Sequence, residues 1–272
     1  MWTIVVLALF AIYLFLIFPA LRRHPDRVWM RGLFIAHRGV HNNKQGLPEN
    51  SLIAFTVAKK LGFCIELDVR LSADGQPFVF HDETLERLCG REGSPEQYTF
   101  DELHEMKLSD SDQHIPHLSE VLKLTDGEVP LLIELKCDHR NCKALCRAVD
   151  ALMQEYNGKY LIESFYPPAL LWYRLHRRKV CRGILGDCYF RYEDAKLYQK
   201  LAGLLVFNFL ARPDFVSYCH KNADVFSRGI VAALGAFPIG WTYTDPSMIA
   251  SDTYNKAYIF ENFIPDGPYR EE

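Results

Sequence analysis

Four short stretches set charged side chains into runs that are otherwise apolar enough to be buried strands. Phe34-Ile35-Ala36 leads into His37-Arg38-Gly39, and Phe78-Val79-Phe80 leads into His81-Asp82. Cys64-Ile65-Glu66-Leu67-Asp68-Val69 carries two carboxylates, and Ile133-Glu134-Leu135-Lys136 carries a carboxylate and an amine. A spacing of two puts Glu66 and Asp68 on one face of a strand, with Ile65, Leu67 and Val69 on the other. Glu134 and Lys136 share a face for the same reason. On a half-solvated strand this alternation needs no function. On a strand covered on both faces, three inward carboxylates repel one another and are expensive to bury unpaired. A cation relieves both costs. A donor set made only of oxygens suits a hard ion, Mg2+ or Ca2+, better than zinc. Arg38 and Lys136 beside that ion complete a place for a phosphate. His37 and His81 can supply a general base and a general acid. These are the parts for breaking a phosphodiester bond.

Elements able to bring such residues together recur along the chain. Strands are expected at Phe34–Ala36, 63–69, 130–135, 160–165, 182–185, 203–208, 239–243 and 257–261, with a hairpin return at 77–80 after the Ala73-Asp74-Gly75 turn. Helices are expected at 51–61 behind an Asn50 cap, and at 100–106, 118–124, 141–156, 168–177, 194–201 and 213–221. Eight parallel-type strands separated by helices predict a TIM-type (β/α)8 barrel, whose active site lies at the C-terminal ends of the strands. No Gly-x-Gly-x-x-Gly or P-loop pattern is present, which argues against dinucleotides and nucleoside triphosphates.

The chain has 272 residues, 49% hydrophobic content and a formal net charge of −3. There is no global basic field to draw it to nucleic acid, so any anion site is local. Residues 2–21 are uncharged and almost wholly apolar, and Arg22, Arg23, Arg27 and Arg31 follow. This pattern predicts a transmembrane anchor over 1–22, a basic juxtamembrane linker over 23–32 and a barrel over 33–272. The positive flank predicts a single-pass plasma-membrane protein with its barrel in the cytoplasm. The eight cysteines form no dense disulfide framework. Cys137, His139, Cys142 and Cys146 lack paired zinc-ligand spacing, and Cys142 and Cys146 are expected as neighbours on one helix face.

The same segments resemble the glycerophosphodiester phosphodiesterase family. The resemblance rests on His37-Arg38-Gly39, Pro48-Glu49-Asn50-Ser51 with Ala54-Phe55, Glu66-Leu67-Asp68-Val69, Asp74-Gly75, His81-Asp82 with Leu85 and Arg87, Ile133-Glu134-Leu135-Lys136, Ser164-Phe165 and Trp241-Thr242. It implies a TIM-type barrel and metal-dependent hydrolysis of a glycerophosphodiester to glycerol 3-phosphate and an alcohol. By motif, Glu66, Asp68 and Glu134 are similar to the family's metal ligands, His37 and His81 to its acid/base pair, and Arg38 and Lys136 to its phosphate contacts. The implied first step uses the substrate's glycerol hydroxyl as nucleophile and gives a cyclic phosphate. Glu49 is expected either to touch metal or glycerol, or to serve as a helix N-terminal charge. Trp241 and Phe165 are expected to line the pocket, with a core position as the alternative for Trp241.

Departures from the family pattern fall at loops and pocket edges: a longer first loop over 41–47, Tyr243-Thr244 after the late tryptophan, and Phe260-Glu261-Asn262-Phe263 after the last strand. Residues 83–129 are expected to be ordinary connection. Two other functions stand beside the leading one. A lysophospholipase D would use the same residues, and apolar strand ends at 165–168 and 207–210 would suit it. A barrel that only binds a phosphorylated head group would have no use for two proton-transfer groups.

Overall fold

Every residue of the strand Cys64–Leu71 is buried, which requires a sheet covered on both faces. The structure, a computed structural model, describes residues 1–267. Among these residues nine strands occur: β1 (Phe34–Ala36), β2 (Cys64–Leu71), β3 (Pro77–Val79), β4 (Leu131–Leu135), β5 (Tyr160–Ser164), β6 (Arg182–Gly186), β7 (Phe215–Cys219), β8 (Phe237–Tyr243) and β9 (Ala257–Phe260). Their order is β1-β9-β8-β7-β6-β5-β4-β2-β3, and β1 also pairs with β2, which closes the ring. All pairs are parallel except β2–β3. The result is the expected eight-stranded parallel β/α barrel, with β3 as a hairpin return on β2.

Strand alternation divides the apolar residues into an inner and an outer set. Ile35, Cys64, Leu132, Leu161, Phe215, Phe237, Ile239 and Ile259 pack within the ring, closed below by Met30 and Leu33. Ile65, Leu67, Val69, Ile133 and Ile162 face outward onto helix residues such as Phe55, Leu145, Val149 and Leu170. Residues 83–129 are more than connection. Leu85, Leu88, Leu103, Met106 and Ile115 form a separate small core with Phe78 and Phe80, which fixes the far side of the β2–β3 hairpin.

Three expectations change. The strand expected at 203–208 is not a strand, because the helix Leu197–Gly203 runs into it and the helix Asn208–Ala211 follows. The fifth crossover instead ends in β7, inside the segment expected to be a helix at 213–221. Leu204-Leu205-Val206-Phe207 is a short apolar run, which periodicity cannot assign. Phe215-Val216-Ser217-Tyr218 is β-branched and aromatic, which suits a strand. The cap of helix Leu52–Lys60 is Ser51, whose hydroxyl accepts from Ala54 N. Asn50 is released for another role.

The expected membrane anchor is overturned. No helix among the described residues is long and apolar enough to cross a membrane. The helix is Trp2–Ile17, 16 residues, and at about 1.5 Å per residue it spans roughly 24 Å, short of a hydrocarbon core of about 30 Å. The backbone turns extended at Phe18, ahead of Pro19. Barrel side chains then take the last carbonyls: Asn208 Nδ2 donates to Ile17 O at 3.0 Å, and Arg212 Nη1 donates to Phe15 O at 3.0 Å and Phe18 O at 2.8 Å. With the anchor go the single-pass plasma-membrane placement, the cytoplasmic orientation drawn from it and the membrane contact through 2–21. Residues 23–32 are not a free linker. The helix Arg27–Met30 buries Met30 completely against the inner core.

One close contact inside the ring generates a prediction. A Cβ on Gly183 would stand 2.0 Å from Phe215 Cε2, and Phe215 is fully buried. Gly183→Ala should therefore cost about 1–3 kcal/mol through overpacking. Urea denaturation should show a lower midpoint at unchanged slope. An unchanged midpoint would mean that the Phe215 ring does not sit on Gly183.

Candidate active site

The site starts where β1 stops. His37 N still bonds to Phe260 O on β9, and the chain then turns through left-handed Arg38 and Gly39, at φ 55 and 80. Glycine is required at the second position, since a Cβ there would meet Ala54 C and Phe55 Cδ1 at 2.9 Å. This turn aims the Arg38 backbone N–H at Glu66 Oε2, 2.8 Å away. The Arg38 guanidinium bonds Glu49 Oε1 at 2.5 Å and stands 3.4 Å from Asp68 Oδ2.

The carboxylates come from adjacent inner positions of β2 and β4. Asp68 is in register with Glu134, and Glu66 lies two residues below Asp68 on the same face. Ligand oxygens of Glu66, Asp68 and Glu134 all lie within 4.8 Å of one another. Lys136 Nζ sits 3.2 Å from Asp68 Oδ1 and 2.8 Å from Glu134 Oε1. Burial, Asp68 and Glu134 push the Glu66 carboxyl well above its usual range. Burial pushes Glu134 up to about 7 despite Lys136, with Asp68 adding to the shift. Burial also opposes charge on Asp68, but Lys136, His81 and Arg38 outweigh it and hold that carboxylate low. Burial lowers the Lys136 amine, and Asp68 and Glu134 more than reverse this. Asp68 Oδ1 is buried and, although Lys136 Nζ stands 3.2 Å away, receives no well-formed hydrogen bond. Three clustered hard oxygens, one of them unsatisfied, fit a magnesium- or calcium-type ion.

Each histidine is oriented by a carboxylate on Nδ1. His37 Nδ1 lies 2.7 Å from Glu261 Oε2, at the end of β9, and His81 Nδ1 lies 2.7 Å from Asp82 Oδ1. With Nδ1 donating, Nε2 is left to carry a lone pair in a neutral ring and a proton in an imidazolium. Arg87 bonds both oxygens of Asp82 and both oxygens of Glu49, tying the two sides of the site together. Arg70 donates from Nε and Nη2 to His81 O at 3.2 and 2.8 Å. Burial lowers His81 to about 4, with Lys136 and Arg38 adding and Asp68 and Asp82 opposing, so the ring is neutral at pH 7.

A cleft of about 1180 Å³ opens over His81, Glu134 and Lys136, with Phe165, Tyr166 and Tyr198 on its wall. Phe165 packs edge-to-face on Trp241, centroids 5.7 Å apart, and Lys136 Nζ lies 6.0 Å from its ring. Trp241 Nε1 is committed to Ser217 O at 3.0 Å. The Glu49 oxygens accept from Arg38, Arg87 and Asn43. All eight cysteines are free, and the Cys142 thiol is hydrogen-bonded to Cys137 and Cys146.

The family described as "Glycerophosphoryl diester phosphodiesterase family" matches residues 37–211. The chain belongs to that family of phosphodiesterases. A "Glycerophosphodiester phosphodiesterase" of Caldanaerobacter subterraneus subsp. tengcongensis is 31% identical over 204 residues, covering 71% of this chain and 83% of the relative. An Oleispira antarctica phosphodiesterase, solved in complex with the product sn-glycerol-3-phosphate, superposes with a TM-score of 0.70 at 22% identity, covering 85% of this chain and 93% of that one. A Thermotoga maritima glycerophosphodiester phosphodiesterase superposes with a TM-score of 0.64 at 25% identity, covering 84% and 93%.

In this phosphodiesterase the structure brings His37, Arg38, Glu66, Asp68, His81, Glu134 and Lys136 to one rim of the barrel. Sequence reasoning missed Asn50, whose Nδ2 donates to Asp68 Oδ2 at 2.8 Å. It also missed Glu261, which ends β9 as His37 ends β1, and the same rule of polar residues at strand ends would have found it. Glu163 on β5 was missed as well. It is in register with Glu134, accepts from Ser217 Oγ at 2.6 Å, and is pushed up to about 8 by burial.

The carboxyl shifts set a pH dependence. A carboxyl ligand must be ionised to bind a cation, and Glu134, at about 7, is half protonated near neutrality. Binding of Mg2+ or Ca2+ should therefore release protons, and affinity should fall as pH drops through 7. Calorimetric titration in two buffers of different ionisation enthalpy measures the release. No release at pH 7 would mean the carboxyls are already ionised without the cation.

Proposed function

We propose that the chain hydrolyses glycerophosphodiesters to sn-glycerol 3-phosphate and an alcohol, using a divalent cation held by Glu66, Asp68 and Glu134. The observation that carries this reading is the convergence of that triad, the two cations Arg38 and Lys136, and two histidines each braced by a carboxylate. The cation, Mg2+ or Ca2+, would supply charge stabilisation to the phosphoryl oxygens. Arg38 and Lys136 bind and orient the phosphate. His81, held neutral, takes the proton of the attacking glycerol hydroxyl at Nε2. The oxygen attacks phosphorus, the ester bond to the alcohol breaks, and His37 protonates the departing oxygen. The exchanged protonation states then suit attack of water on the resulting cyclic phosphate, which returns both rings to their starting forms.

The test is hydrolysis by the full chain of glycerophosphocholine, glycerophosphoglycerol and a lysophospholipid, each with Mg2+, Ca2+ or chelator. Release of glycerol 3-phosphate from the first two, lost with chelator, is expected. His37→Ala and His81→Ala should each lower kcat by about 10²–10⁴. Exposed Leu197 and Tyr198 beside the wide cleft make the lysolipid arm informative: its turnover alone would assign lysophospholipase D. No turnover of any substrate would leave a phosphate-binding barrel.

Glu261→Gln gives a separate check. It keeps a hydrogen-bonding partner for His37 but removes the charge that favours an imidazolium. kcat should fall more than KM changes, and the pH profile should shift on its alkaline limb. Unchanged kcat and profile would show that Glu261 does not act through His37.

A further inference from the structure

The other end of the barrel carries a second group of ligand-type side chains that the catalytic reading does not use. The segment His24-Pro25-Asp26 crosses beneath the ring, and Cys181 lies directly before β6. His24, Asp26 and Cys181 offer ligand atoms that all lie within 4.8 Å of one another. We infer that these three residues bind a borderline-soft divalent cation of the zinc class at the barrel floor, remote from the catalytic rim.

Donor chemistry selects the ion. A thiol, an imidazole and a carboxylate suit zinc, whereas magnesium and calcium take oxygens. Zinc bonds of about 2.0–2.3 Å in a tetrahedron place ligand atoms roughly 3.3–3.8 Å apart. His24 Nδ1 and Asp26 Oδ2 are 3.4 Å apart. The other ring nitrogen, Nε2, meets Lys179 O at 2.9 Å. Donation there fixes the tautomer that leaves the Nδ1 lone pair for a metal, the usual outer-shell arrangement of a ligand histidine. At present Nδ1 accepts only a long bond from Asp26 N at 3.3 Å, which the ion would replace.

Cys181 is 1% exposed, and Asp26 is partly exposed, giving an entry path. Arg27 and Arg182 are close, and backbone carbonyls orient their guanidiniums: Gly235 O for Arg27, and Ala211 O and Arg212 O for Arg182. Asp214 stands 3.6 Å from Arg182 and offsets it. Water would fill the fourth position. Binding exchanges the thiol proton of Cys181, released to solvent, for a sulfur–metal bond. The consequence is mechanical: the ion would tie the segment carrying Met30 and Leu33, which closes the inner core from below, to the start of β6.

Cobalt reports on this site alone. The full chain, stripped with chelator and titrated with Co2+, should develop a near-ultraviolet thiolate-to-cobalt charge-transfer band at one equivalent. The catalytic oxygens cannot produce that band, so the outcome is independent of the proposed hydrolysis. The band should persist in Glu66→Gln and in Cys142→Ser, and vanish in Cys181→Ser. Losing an outer-shell partner already costs about 10–100-fold in metal affinity, so His24→Ala should weaken binding at least that much. It also serves if Cys181→Ser does not fold. Absence of the band in the unaltered chain, its survival in Cys181→Ser, unchanged affinity in His24→Ala, or its loss in Cys142→Ser would each overturn the proposal.

Discussion

Three acidic side chains inside a barrel are the constraint on which the upper half of this molecule depends. Glu66, Asp68 and Glu134 are all buried, and two unit charges 4 Å apart repel by about 4 kcal/mol even at an effective dielectric of 20. The protein supplies Lys136 between Asp68 and Glu134, and Arg38 beside Asp68. That is not enough, because Arg38 is shared with Glu49. The shortfall shows in the carboxyls themselves: Asp68 keeps its charge, while Glu66 and Glu134 are driven toward the neutral form. The arrangement stores a demand for positive charge in a place where water cannot meet it.

The second requirement is direction, and it is met by carboxylates outside the triad. Asp82 and Glu261 each hold one Nδ1, so in both histidines Nε2 is the ring nitrogen not held by a carboxylate. The Glu261 brace exists only because β9 pairs with β1, bringing together residues 224 apart in the chain. Arg87 links Asp82 to Glu49, and Glu49 holds Arg38. A disturbance at any member of this chain would reach both Arg38 and a histidine. The catalytic geometry is therefore a property of the closed ring and not of any single βα unit.

Much of this was legible because buried parallel strands leave a plain mark. Seven of the eight barrel strands begin within two residues of the positions their apolar runs predict, and the seven charged residues at the rim stood out against those runs. The failures have physical reasons. Around 203–219 the chain holds two short apolar runs, and only packing decides which enters the ring. Asn50 resembles a cap in sequence, but Ser51 caps the helix and Asn50 turns to Asp68. The hold of Arg87 on both oxygens of Glu49 was not legible either, because the two residues stand 38 apart in the chain and only the fold brings them together. The first apolar segment has a membrane span's composition. Its helix nevertheless ends at Ile17, where Asn208 and Arg212 from across the fold receive its carbonyls.

The charged upper layer can exist because the layer beneath it is apolar throughout. Ile35, Leu132, Leu161, Phe215, Phe237 and Ile259 fill the lower ring, and burying each such side chain contributes about 1.5–3 kcal/mol. Leaving a buried carboxylate or its neutral form imperfectly paired costs about 1–3 kcal/mol or more. Lower ring and upper ring therefore work against each other, and the fold survives because the apolar layer outweighs the polar one. A cation at the rim would change the sign of the upper layer's contribution, since it would convert repulsion among Glu66, Asp68 and Glu134 into attraction toward a common centre. The rim would then also be where the barrel gains stability on loading a cation, which would couple its occupancy to the rigidity of β2 and β4 beneath it.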